Sequence, residues 1–211
     1  QRADRQPEFT QLDLEMSFVE REDILELTEG LLIAILGLVP GKRPLQTPFP
    51  RLTYREAIDT YGSDKPDVRF GMRLTDLSDV LSQSGFRVFS ETISSGGVVK
   101  GILAQGCGAY TRRQVDELEE LVRQSGAKGL VWVALNQGEG RSPVAKYLSQ
   151  EEMRSIRQRM MAQDGDLVLI VAGPPPIVAE SLGQLRLVMG ARLGLMDDDV
   201  LGFAWITDFP L

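Results

Sequence analysis

The residues best placed to do chemistry lie at the start of the chain, in QRADRQPEFTQLDLEMSF. From 11 to 18 the side chains alternate. Gln11, Asp13, Glu15 and Ser17 fall on one side, and Leu12, Leu14, Met16 and Phe18 on the other. A period of two belongs to a β-strand, so the pattern predicts a strand with one apolar face and one face carrying an amide, two carboxylates and a hydroxyl. Two readings of that polar face stand open: an antiparallel strand wet on one side, or the floor of a polar binding site. The chain has no histidine. That excludes Ser-His-Asp and Cys-His machinery within it, and the commoner zinc sets as well. The remaining chemistry is the kind run by positioning, arginine, carboxylates and magnesium.

Other stretches with chemical potential have plainer readings. The glycine pairs at 106–108 and 138–140 do not continue into a dinucleotide fingerprint. Asp197, Asp198 and Asp199 match no calcium loop and read as a solvated turn. Pro174, Pro175 and Pro176 read as a helix entry, and Met160 and Met161 as packing. Cys107 is the single cysteine, which rules out an internal disulfide framework and fits a reducing compartment.

The elements that must position these residues follow from the whole 211-residue sequence, which suffices for one large domain or two small ones. Hydrophobic residues make up 43% and charged residues 25%, and the net charge of −7 weighs against a free-standing nucleic-acid binder. No apolar run reaches membrane-spanning length. The run LLIAILGLVPG is too short and reads as the buried end of a helix that begins near EREDIL. A Pro/Gly-rich loop follows. Thr53, Glu56 and Gly62 predict a short helix with a capping box and a glycine stop. The polar segment GSDKPDVRFG reads as loop. After it the pattern predicts a short helix in LTDLSDVLSQSG, a strand in GFRVFSETI, a turn at SSGG and a strand in VVKGILAQG. Next come a helix capped by Thr111 and ended by Gly126, a buried strand GLVWVAL, a loop NQGEGRSP and a helix with Ser149 and Glu152 as its capping box. A strand DGDLVLIVAG, a long proline-opened helix and a final strand FAWITDF complete the series. The order is roughly ββαβαβα across 85–195, an α+β unit with its sheet covered on one side. The polar start and abrupt finish give both ends the look of cuts.

Taken together, RADRQPEFTQLDLEMSF, FPRLTYREAIDTYGSDKPDVRFG, GAKGLVWV, SPVAKYL, AQDGD and FAWITDFPL resemble the bacterial-type aspartyl-tRNA synthetases, members of the class II synthetases, over essentially the full chain. The resemblance implies an α+β chain in three parts. Residues 1–69 would hold the motif 2 loop and strand of the antiparallel catalytic core, 70–198 an inserted two-layer GAD domain, and 199–211 a return strand. It implies that Gln6 contacts ATP, that Gln11 and Asp13 lie near the aspartate substrate, and that Arg2 and Arg5 meet the acceptor end of tRNA. Glu15 and Ser17 fit the family pattern without a role. The family's motif 2 arginine would precede Gln1, and its substrate histidine and motif 3 arginine would follow Leu211. No catalytic or metal-binding residue is therefore expected within the piece, which should be inactive alone. ATP and Mg2+ are implied for the intact enzyme, none bound by the piece, with tRNA and aspartate as partners, a homodimeric parent, a cytoplasmic location and no membrane. The rival reading is a non-catalytic binding or assembly module of GAD type.

Overall fold

The computed structural model describes residues 8–136 and 139–210. Internal contacts divide the chain into two units that meet in sequence at Gly41 and Lys42.

In the first unit, residues 8–16 have no regular secondary structure and are exposed, so the strand expected at 11–18 is absent. Alternation gives a segment two faces, but a strand also needs a neighbour for its backbone N–H and C=O groups. No ladder is formed with it among the described residues. Phe18, just after this irregular segment, has a positive φ of 58°. Helix α1 (Arg21–Leu36) follows, its first turn closed by Asp23, which accepts from the Glu20 N–H at 2.8 Å. Its end is buried only in part, not wholly as expected: Leu36 is 6% exposed, whereas Ile35 and Leu38 are 48% and 83% exposed.

The second unit begins with β1 (Arg43–Pro44), β2 (Arg51–Thr53) and α2 (Tyr54–Tyr61). Thr53 caps α2 with Glu56 in a reciprocal capping box, and Gly62 stops it in the left-handed region, as the sequence predicts. Then come β3 (Thr75–Asp76), α3 (Ser78–Leu81), α4 (Arg87–Ser94), β4 (Val98–Ala104), α5 (Arg112–Gln124), β5 (Val131–Asn136) and β6 (Glu139–Arg141). After them stand α6 (Gln150–Arg159), β7 (Leu167–Gly173), α7 (Pro175–Arg192), β8 (Val200–Leu201) and β9 (Trp205–Thr207). Strands β3-β4-β7-β5-β6 form one antiparallel sheet in that order. Two short parallel ladders, β1 with β8 and β2 with β9, tie the start of this unit to its end. Phe49 stacks on Phe203 at 4.7 Å between ring centres.

Three expectations are corrected here. The stretch GFRVFSETI holds helix α4 instead of a strand: Phe86, Phe89 and Ile93 recur at helical spacing and pack into one cluster. The stretch NQGEGRSP contributes β6, which pairs with β5. The third concerns the layers. The sheet is covered on both faces, not one: α5 and α7 bury Leu118, Val122, Leu182 and Leu185 on one side, while α3, α4 and α6 bury Leu81, Phe89 and Ile156 on the other. The cause is β7 itself, whose Leu167, Val168, Leu169, Ile170 and Val171 are all buried. A strand buried on both faces loses its alternation. The observed order around it is accordingly α4-β4-α5-β5-β6-α6-β7-α7.

Candidate functional site

Arg2, Arg5 and Gln6 lie outside the described residues. Gln11 and Asp13 are exposed, in the irregular segment before α1, and no described strand holds them. Of the expected binding residues, the structure thus describes only Gln11 and Asp13. Among the described residues no group of three histidine, cysteine or acidic side chains is placed to hold a metal ion.

What the second unit does assemble is a polar joint around Arg186. Helix α7 buries two stripes. Val178, Leu182, Leu185 and Met189 face the sheet. Gly183, Arg186 and Gly190 meet Gly62, Phe70 and their neighbours. Arg186 is 1% exposed. Its Nε donates to the Met72 carbonyl, and its Nη2 to the carbonyls of Asp67 and Phe70, all at 2.7 Å. The guanidinium also sits 3.9 Å from the centre of the Phe70 ring and 4.9 Å from that of Tyr61. Burial pushes its pKa down, opposed by the charge of Asp67. Even so, a guanidinium stays protonated in proteins, and three carbonyls and two rings replace its lost water. Beside it, Asp67 takes a two-pronged contact from Arg69, at 3.0 Å to Nε and 2.8 Å to Nη2. Hydrogen bonding from Arg69 holds the Asp67 carboxyl below its usual range, against the opposing effect of burial. Arg69 Nη1 in turn donates to the carbonyl of Asp197 at 3.1 Å.

Two open clefts flank the sheet. One, of about 590 Å³, is lined by Tyr54, Arg55, Asp59, Asp76, Lys100 and Pro175. Its half-buried cation is already paired, with Lys100 Nζ 3.0 Å from Asp59. The other, of about 670 Å³, lies at the start of α6 and is lined by Gln83, Lys146, Tyr147, Ser149 and Glu152. Ser149 and Glu152 there close the capping box read from the sequence. Neither cleft pairs a nucleophile with a base. Among the motifs with plainer readings, the 106–108 loop is a fastening: Gly106 N–H donates to the buried Asp166 carboxylate and Gly108 N–H to the Gly165 carbonyl. Asp197 and Asp199 pair with Arg43 and Lys42. Met160 is buried but Met161 is 82% exposed, so only one of that pair packs.

Sequence reasoning missed Arg186. The available signal was its position, four residues after Leu182 and three before Met189, which places a charge on the apolar side of a helix.

Residues 89–182 match the GAD domain. The GAD match runs from within α4 into α7, so it takes in strands β4 to β7 and ends four residues before Arg186. Beyond it, the whole chain is similar to curated bacterial proteins. It is 52% identical over 210 residues to the aspartate–tRNA(Asp/Asn) ligase of Moorella thermoacetica, covering 100% of this chain and 35% of that protein. It is 51% identical over 211 residues to the enzyme of the same name from Symbiobacterium thermophilum, again 35% of it. With the aspartate–tRNA ligase of Geobacillus kaustophilus the identity is 47% over 211 residues, with 36% of that protein covered. The chain thus spans about a third of the length of the curated relatives it matches, and the similarity includes both the GAD match and the segments on either side of it.

Proposed function

We propose that this chain is the stretch of an aspartate–tRNA ligase that runs from the motif 2 region through the GAD domain and back into the catalytic core. The observation that carries this reading is similarity near 50% identity along all of the chain. A free-standing binding module would account for the GAD match but not for the likeness of residues 1–88. On this reading 1–69 and 199–211 belong to a class II catalytic domain and 70–198 to the insertion.

The whole enzyme would join the aspartate carboxylate to the α-phosphate of ATP, with pyrophosphate leaving, and then pass the aspartyl group from the adenylate to the terminal ribose of tRNA. Such phosphoryl chemistry runs on alignment and charge stabilisation, so the lack of histidine in this stretch is no obstacle. Gln6 would face ATP. Gln11 and Asp13 would face aspartate, the Asp13 carboxylate pairing with its ammonium group. Arg2 and Arg5 would meet the acceptor end of tRNA. For these roles 11–18 must become the strand its alternation allows, paired with strands supplied by the rest of the enzyme. Magnesium would be held by the rest of the enzyme. The parent is proposed to be a cytoplasmic homodimer.

Aspartate-dependent exchange of pyrophosphate into ATP, measured on the full-length protein that carries this chain, tests the reading. Exchange with aspartate and not with glutamate is expected, and exchange with another amino acid in place of aspartate contradicts it.

A further inference from the structure

Residues 62–72, GSDKPDVRFGM, have the composition of a flexible linker: small, charged, with one proline and two glycines. They also lie between two ordered parts, α2 before them and the main sheet after them. By composition this is where an inserted domain would swing. The structure holds the segment from several sides instead. Asp67, Phe70 and Met72 all turn their carbonyls to one buried guanidinium, that of Arg186. Arg69 ties Asp67 to the carbonyl of Asp197, beyond the end of α7. At the near end, a β-carbon on Gly183 would stand 2.9 Å from the Gly62 carbonyl oxygen. At the far end, one on Gly190 would stand 2.6 Å from the Phe70 ring.

We infer that Arg186 is the pin of a rigid joint, which fixes the sheet-and-helix body to the flanking segment of α2, β2 and β9 so that the two move as one. The chemistry calls for arginine. Its planar fork presents several N–H donors in fixed directions, so one side chain serves three carbonyls. A lysine ammonium reaches fewer of them in good geometry, and an apolar side chain leaves all three unpaired. Hinges, in contrast, are places where a few residues absorb large changes in φ and ψ. The carbonyls of residues 67, 70 and 72 cannot turn without leaving the guanidinium. The domain is on this account a fixed arm, whatever it carries. The inference does not depend on the ligase reading, because its readout is a distance.

The test uses the 211-residue chain with spin labels at Arg55→Cys on α2 and Arg154→Cys on α6. Cys107 is 2% exposed, and a chain lacking the two new cysteines serves as the labelling control. Pulsed dipolar spectroscopy should give one narrow distance distribution. R186M should broaden it while the circular dichroism of the sheet body is retained, and R186K should fall between the two. A broad distribution with Arg186 in place, or an R186M distribution as narrow as the parent's, overturns the inference. Should R186M fail to fold, the parent chain and R186K decide by the same criteria: a narrow parent distribution with a broader R186K one supports the pin, and R186K indistinguishable from the parent overturns it.

Discussion

Gly62 and Gly183 meet backbone to backbone: a β-carbon on Gly183 would stand 2.9 Å from the carbonyl oxygen of Gly62, and one on Gly62 would stand 2.9 Å from the Gly183 Cα. The contact lets α2 lie directly on α7. Gly183→Ala should force the helices apart, and overpacking of this kind costs about 1–3 kcal/mol. Gly62→Ala should cost more. Gly62 has φ 75°, and a side chain in the left-handed region adds about 1–2 kcal/mol. Urea unfolding followed by circular dichroism should show both midpoints lowered, with Gly62→Ala lower than Gly183→Ala.

Capping gives a second, milder prediction. The Thr111 hydroxyl accepts from the Gln114 N–H, and the Gln114 side chain accepts from the Thr111 N–H at 2.9 Å. Thr111→Ala should remove about 1 kcal/mol of stability, and Thr111→Asp should retain most of it. Thermal melts of the two variants against the parent chain check the order.

These two features differ in how far the sequence shows them. The caps of α2, α5 and α6 are local, four residues long, and were readable at Thr53, Thr111 and Ser149. Strands β4, β5 and β7 were readable from their apolar runs. What was lost depends on distant partners. The unalternating LVLIV of β7 was already a sign of burial on both faces, yet which helices cover each face is decided by packing across the whole unit. The alternation at 11–18 gives a segment able to pair, and a strand forms only where a neighbour is present. Phe86, Val88 and Phe89 fit a strand or a helix over so short a stretch, and burial of Phe89 decided for the helix. Arg186 sits 114 residues from Met72, and no local pattern announces that contact. The candidate substrate residues were reached through resemblance. Their types and spacing alone left a wet strand and a binding floor both open.

Acid should loosen the joint. Asp67 is held below the usual carboxylate range chiefly by hydrogen bonding from Arg69, against burial, and Asp79 likewise by Arg159. A carboxyl whose folded pKa is depressed contributes stability that is fully present above its unfolded value and is lost as pH falls through the folded one. The contribution should therefore be constant down to about pH 4, near the ordinary aspartate value, and decline below it. Urea midpoints measured as the pH is lowered should show that fall. Asp67→Asn should lower the midpoint at neutral pH and flatten the acid limb.

In the full-length enzyme, the proposed roles at the N-terminal segment separate by substrate. Asp13→Ala should raise the KM for aspartate by about tenfold or more, the scale expected on losing a charged hydrogen bond, with little change for ATP. Gln6→Ala should do the reverse. Michaelis constants for both substrates on each variant decide it, and equal effects on both substrates would remove the assignment.

The central claim is that this chain is part of an enzyme that charges tRNA with aspartate. Its most direct test is aminoacylation by the full-length protein, with aspartate and purified transcripts of the aspartate and asparagine tRNAs. The account predicts aspartyl transfer to the aspartate tRNA, and transfer to both tRNAs if the enzyme shares the breadth carried in the name of the Moorella thermoacetica relative. A folded full-length protein that attaches no aspartate to either transcript would contradict it.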